Sequence, residues 1–110
     1  TYNGEKFLQD QLESFANQSC KNWQLFVYDD GSSDNTKNLV QTFKQKYRTH
    51  FISNNPTLGF SRNFLNGIAS TRIDFDFYAL SDQDDIWLES KLEKAISCLK
   101  NVEINIPALY

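Results

Sequence analysis

Residues 77–87 read Phe-Tyr-Ala-Leu-Ser-Asp-Gln-Asp-Asp-Ile-Trp, an apolar run that drives straight into Asp82, Asp84 and Asp85. Carboxylates this close repel one another, so a fold gains little by gathering them at a strand end. A divalent cation removes that penalty, because Mg²⁺ and its relatives bind one or two carboxylates together with substrate phosphates. Open α/β sheets place their ligands at the ends of strands. The rest of the chain is therefore read as the wall and floor of an acidic strand-end site.

Taken in order, the chain alternates helix-like and strand-like pieces, the pattern of an α/β sheet with crossover helices. Asn3 is placed to cap a helix over 5–18, with Leu8, Leu12 and Phe15 on one face. The nearly continuous apolar run 23–28 predicts a strand buried on both faces, ending in Asp29-Asp30-Gly31-Ser32-Ser33-Asp34. A second helix runs to about 47, capped by Ser33 or Asp34, with Leu39, Val40, Phe43 and Tyr47 inward. A short strand at 49–53 and a turn at Asn54-Asn55-Pro56 follow. Beyond Gly59 comes a helix over 61–70 with Phe64, Leu65 and Ile68 toward the core. A strand at 75–80 then leads into the acidic cluster, and a last helix over 90–99 packs Leu92, Ala95, Ile96 and Leu99.

Composition narrows the function. The 110 residues are 40% hydrophobic and 15% aromatic, enough for a core and too apolar for a disordered tail. A net charge of −3 without a Lys/Arg run argues against nucleic acid as a partner. Cys20 and Cys98 have neither metal-ligand nor redox spacing and read as reduced, cytosolic residues. No run approaches a membrane span and no signal peptide is present, so a cytoplasmic location is expected. The sequence opens in mid-motif at Thr1-Tyr2-Asn3-Gly4, and 104–110 reads as a strand just beginning, so 1–110 is expected to be a single partial domain.

Two acidic clusters follow two strands, and in a parallel sheet Asp29/Asp30 and Asp82/Asp84 converge on one edge. Each has a bland counterpart: Asp30, Ser33 and Asp34 suit a turn and helix cap, and an Asp at 82–85 suits the positive end of a helix dipole. Arg62 and Asn63, after Gly59, suit either a diphosphate or an exposed salt bridge and a cap. An EF-hand is excluded, because Ile86 and Trp87 occupy the positions that need an oxygen ligand and Gly. His50, the sole histidine, reads as structural or solvated, and no nucleophile elbow, P-loop or dinucleotide fingerprint occurs.

Taken together, Thr1-Tyr2-Asn3-Gly4 with Glu5 and Leu8, Gln18, the segment 29–36, Gly59 with Arg62-Asn63, and the segment 81–87 with Lys91 resemble the nucleotide-sugar half of glycosyltransferase family 2. The resemblance covers nearly the whole chain in the right order. Ser-Asp-Gln-Asp-Asp-Ile-Trp and the Asn-Phe after Arg62 look like bacterial rhamnosyltransferases of capsule and O-antigen assembly.

The resemblance implies a Rossmann-like GT-A fold, a mostly parallel sheet flanked by helices, here lacking the family's first strand and acceptor half. It implies that Thr1, Tyr2 and Asn3 hold the nucleotide base, that Asp30 accepts the imide N–H of thymine or uracil, and that Arg62 and Asn63 serve the diphosphate. Asp82-Gln83-Asp84 matches the family's Asp-x-Asp motif, with Asp82 toward ribose and metal and Asp84 ligating Mg²⁺ or Mn²⁺. The implied donor is dTDP-rhamnose or a UDP-sugar, and the acceptor a glycan or lipid-linked glycan, with a peripheral place at the inner face of the plasma membrane implied for the enzyme. The implied reaction is a one-step inverting transfer, whose general base is expected C-terminal to Tyr110, so the chain by itself is expected to be inactive. Two other readings stand beside this one: a nucleotidyltransferase on a similar sheet, and an α/β module whose acidic pocket binds Mg²⁺ without a sugar nucleotide.

Overall fold

The computed structural model describes residues 1–71, 75–102 and 108–110. In chain order it has α1 (Glu5–Ala16), β1 (Leu25–Asp29), α2 (Thr36–Lys44), β2 (Thr49–Ser53), α3 (Phe60–Ser70) and α4 (Lys91–Leu99). β1 and β2 pair in parallel, from Leu25 opposite Thr49 to Asp29 opposite Ser53. The α/β class read from the sequence is the observed one.

Side chains of a strand alternate between faces, and β1 uses both. Val27 joins Leu8, Leu12 and Phe15 of α1 and Val40 and Phe43 of α2 in the core. Its neighbour Tyr28 meets α3 on the other face, where a Cβ on Gly67 would lie 2.9 Å from the ring. The Tyr28 hydroxyl and Thr71 Oγ1 are 3.0 Å apart. Helices thus cover both faces of β1.

Four expectations are corrected. Asn3 does not cap α1: it sits at φ +46° ahead of the capping position Gly4, and its side chain turns toward the loop after β1. On α3 the inward residues are Asn63 and Gly67, while Leu65 and Ile68 are exposed. Small side chains there let the helix approach the Tyr28 ring, and that rolls the larger apolar residues outward. β1 is less enclosed than its apolar run suggests, with Leu25, Phe26 and Tyr28 half-buried.

The fourth correction is the strand at 75–80, where no strand forms. A strand is held by its ladder, and among the described residues the backbone of 75–80 makes no hydrogen bond to another element's backbone. The segment packs through side chains instead, Phe75 lying edge-on to Phe26 of β1 and to Tyr78. The free edge of β1 is met by residue 1: Thr1 N donates to the Tyr28 carbonyl at 2.6 Å, and Asp30 N donates to the Thr1 carbonyl at 2.8 Å. Those are the two bonds of a parallel bridge centred on Asp29. α4 presents Leu92, Ala95, Ile96 and Leu99 inward as expected, although all four are only half-buried. The strand start expected at 104–110 falls largely outside the described residues.

Candidate functional site

Three segments far apart in sequence meet beyond the C-terminal end of β1: the turn before α1, the loop 29–36, and the acidic segment 81–85. The first two are laced together. Asn3 N donates to Ser32 Oγ at 2.9 Å and Asn3 Oδ1 accepts from Ser33 N at 2.9 Å. Gly4 N donates to Thr36 Oγ1 at 2.9 Å, and Asn35 N to Glu5 Oε2 at 3.1 Å. Asp34 serves both helix starts, Oδ2 accepting from Glu5 N and Oδ1 from Thr36 N, each at 3.0 Å. Donors from Thr36 and Glu5 hold its carboxyl below the ordinary carboxylate value.

Asp29 and Asp30 divide the work at the end of β1. Asp29 is 2% exposed and takes Gly31 N, Ser32 N, Ser53 Oγ and the Ser32 hydroxyl, the last in a very short bond. Gly31, at φ +83°, gives the sharp turn this needs. Asp30 is 5% exposed and accepts Leu58 N at 2.6 Å, Gly59 N at 2.7 Å and Asn54 Nδ2 at 3.0 Å. The Leu58 N–H, then the Asn54 amide and Gly59 N–H, keep its carboxyl below the ordinary value against the opposing effect of burial. Asp30 therefore folds the 54–59 loop, which contains the cis Asn55–Pro56 bond, onto β1.

The acidic segment is fixed from α1 by polar groups. Gln11 Nε2 donates to Ser81 Oγ at 3.0 Å and to the Asp82 carbonyl. Ser14 Oγ accepts Trp87 N at 3.0 Å. Gln18, fully buried, donates to the Leu88 carbonyl at 2.8 Å and accepts Leu92 N at 3.1 Å. Trp87 packs edge-on to Phe15 at 4.7 Å and carries Lys91 Nζ over its ring at 4.1 Å. Within the segment, Asp85 Oδ2 accepts Asp82 N at 3.2 Å and Ser81 Oγ at 3.3 Å. Gln83 closes the junction: its Oε1 accepts both Thr1 Oγ1 and Tyr2 N at 2.8 Å.

The expected site residues accordingly fall into two groups. Thr1, Tyr2, Asn3 and Asp82 come together with Asp84 nearby in the chain, and Tyr2 is exposed. Asn63 is committed to structure: it is buried, donates to the Tyr28 carbonyl at 2.9 Å and accepts Asn54 Nδ2 at 2.7 Å. Arg62 is exposed and has no salt bridge among the described residues. Gln11 and Ser14, which the sequence reading passed over, stand at helical spacing on the α1 face that also carries Leu8 and Phe15. Buried amides and hydroxyls among apolar neighbours were the available signal.

A divalent cation fits Asp82 and Asp84 in one specific sense. Both residues are exposed, and among the described residues neither carboxylate is drawn into a hydrogen bond. No cluster of three or more acidic, histidine or cysteine ligands occurs among the described residues. Two free carboxylates of this kind are what a cation shared with phosphate oxygens needs from a protein.

Residues 1–108 match the family model described as glycosyl transferase family 2. The chain is 36% identical over 104 residues to the dTDP-rhamnosyl transferase RfbG of Shigella flexneri, a match covering 90% of this chain and 36% of that protein. It is 39% identical over 113 residues to the UDP-Glc:alpha-D-GlcNAc-diphosphoundecaprenol beta-1,3-glucosyltransferase WfgD of Escherichia coli, covering 100% of this chain and 42% of that one. The chain thus spans about two-fifths of the length of these relatives. Among solved structures, residues 1–349 of S. aureus TarS in complex with UDP superpose with a TM-score of 0.81 at 24% identity, over 91% of this chain and 30% of that one.

Proposed function

The chain belongs to glycosyl transferase family 2, and from that premise we propose that it forms the donor side of an inverting glycosyl transfer, holding a nucleotide-diphosphate sugar through Mg²⁺ or Mn²⁺. The observation that carries this reading is the junction at Gln83, which sets the Thr1–Tyr2 turn against the acidic pair. In this assignment Thr1, Tyr2 and Asn3 cradle the base. Asp30, whose Oδ1 accepts Leu58 N and Asn54 Nδ2 and whose Oδ2 accepts Gly59 N, reads the imide N–H of a pyrimidine through the remaining acceptor position of Oδ2. Asp82 lies toward the ribose and the metal, and Asp84 is the principal metal ligand. Arg62, free of salt bridges among the described residues, swings to the diphosphate, while Asn63 keeps α3 in place beside it. The cation, when bound, neutralises charge on the departing diphosphate. None of these residues is assigned as the base that deprotonates the acceptor hydroxyl.

The relatives' names bracket the donor, one specifying a dTDP-rhamnosyl and the other a UDP-glucosyl transfer. Thymine and uracil share the imide edge that Asp30 would read, so a pyrimidine nucleotide, with rhamnose among the candidate sugars, is the assigned class. A glycan or lipid-linked glycan acceptor in bacterial surface polysaccharide synthesis, met at the cytoplasmic face of the plasma membrane, is supported by the undecaprenol-linked acceptor in the E. coli relative's name. No helix among the described residues is long and apolar enough to cross a membrane.

Calorimetric titration with dTDP and UDP, with and without Mn²⁺, tests the reading. Metal-dependent binding of either nucleotide, lost in Asp84→Ala, is the expected result. A folded protein that binds Mn²⁺ and ignores both nucleotides overturns it in favour of an acidic-pocket module.

A further inference from the structure

Gln83 stands between Asp82 and Asp84, and its side chain does not share their exposure to solvent. A backbone N–H can only donate, so the contact with Tyr2 N fixes the amide with its oxygen toward the turn, where the Thr1 hydroxyl shares it. Gly4 belongs to the same junction. A Cβ there would lie 2.8 Å from Thr1 Oγ1 and 3.1 Å from Gln83 Oε1, so the close approach depends on its having no side chain. On the other side, Gln11 Nε2 holds the Asp82 carbonyl. The peptide between the two free carboxylates is thereby clamped to the turn in front of α1 and to α1 itself.

We propose that Gln83 is a positioning residue that couples the two halves of the donor site, so that ordering the turn around a nucleotide also sets the spacing of Asp82 and Asp84 for a cation. This rests on the donor-site reading above. The physical reason is rigidity. Two carboxylates flanking one residue move together when its torsions move, and the amide oxygen of that residue is held by two donors of the turn. A ligand that orders either side therefore reduces what the other must lose on binding.

The coupling is measurable as a ratio. Binding of UDP and of dTDP to the full chain is titrated calorimetrically with and without Mn²⁺, in the native sequence, Gln83→Glu and Gln83→Leu. The native protein is expected to bind nucleotide at least about 5-fold tighter with the metal, and the metal at least about 5-fold tighter with nucleotide, since coupling is reciprocal. Gln83→Glu keeps the acceptor oxygen and retains the ratio. Gln83→Leu still binds Mn²⁺ alone but brings the ratio close to one, a change that loss of stability alone does not produce. An unchanged ratio in a folded Gln83→Leu overturns the proposal. If Gln83→Leu fails to fold, Gly4→Ala probes the same junction and must lower the ratio. Absence of metal-dependent nucleotide binding in the native protein instead removes the donor-site reading, and this inference with it.

Discussion

Gln18 donates to the carbonyl of Leu88 at 2.8 Å across a sequence separation of 70, and the same side chain takes the N–H of Leu92 at 3.1 Å. One buried amide thus satisfies two backbone groups of the segment that follows the acidic cluster. A buried polar group left without a partner costs about 1–3 kcal/mol. Gln18→Leu keeps the volume and strands the Leu92 N–H, while the Leu88 carbonyl keeps Lys91 N, so a loss of about 1–3 kcal/mol is expected. Urea unfolding checks it, with a lowered midpoint and an unchanged slope.

Asp82 and Asp84 should behave in the opposite way. Both are exposed, and among the described residues their carboxylates hold nothing in place. Asp82→Asn and Asp84→Asn are expected to leave stability within about 0.5 kcal/mol, as surface substitutions do. Each should abolish the contribution of Mn²⁺ to nucleotide binding, as should chelation of the metal from the native protein. Thermal unfolding beside calorimetry separates the two effects. A large fall in stability in either variant would mark the cluster as structural.

Acid sensitivity follows from Asp30 and Asp34. Both carboxyls lie below their ordinary value of 3.8, Asp30 chiefly through the Leu58 N–H and Asp34 chiefly through the Thr36 hydroxyl. A depressed folded-state pKa means that the unfolded chain takes up the proton first. The stabilisation is fully present above the unfolded value and is lost as pH falls through the folded ones. The thermal midpoint is therefore expected to hold down to about pH 5 and to fall below about pH 4. Asp30→Asn should lower the midpoint at neutral pH and make the acid decline shallower.

Gly67→Ala sets helix propensity against packing. Alanine favours a helix interior by about 1 kcal/mol over glycine. Its methyl would sit 2.9 Å from Cδ2 of Tyr28 and 3.2 Å from Cγ, and overpacking of this kind costs about 1–3 kcal/mol. A net loss is expected, visible as a lower midpoint by circular dichroism. A gain in stability would show that α3 can slide off β1 at no cost.

The elements that were legible in the sequence carry their own periodicity. Leu8, Leu12 and Phe15 marked the inner face of α1, and the strand read at 49–53 is β2 residue for residue. The convergence of the acidic clusters was expected from a parallel strand at 75–80 that does not form; Thr1, bonded to Tyr28 and Asp30 on one side and to Gln83 on the other, is what links the end of β1 to the acidic segment. The absence of a strand at 75–80 was not legible, because strand formation belongs to a pair and the segment's own apolar run does not say whether a partner is there. Asn3 had the composition of a cap, yet Asp34 supplies the carboxylate at the start of α1 from 29 residues away. The inward face of α3 was misread because its volume is set by the Tyr28 ring, a tertiary fact with no trace in helical spacing. Gln11 and Ser14 were hidden for a similar reason: polar residues on an inner face show their use only once their partners are located. Gln18, by contrast, was singled out through the family resemblance.

The sharing of Asp34 between two helix starts also bears on how the chain acquires its shape. α1 has 12 residues and α2 has 9, lengths at which an isolated helix is marginal in water. Neither start has a side-chain cap from its own capping residue. One carboxylate between them makes the ordering of each contingent on the other, so the two helices should appear together during folding. A peptide cut to 5–16 should be largely coil, and the same residues should become helical only when the stretch through Lys44 is attached.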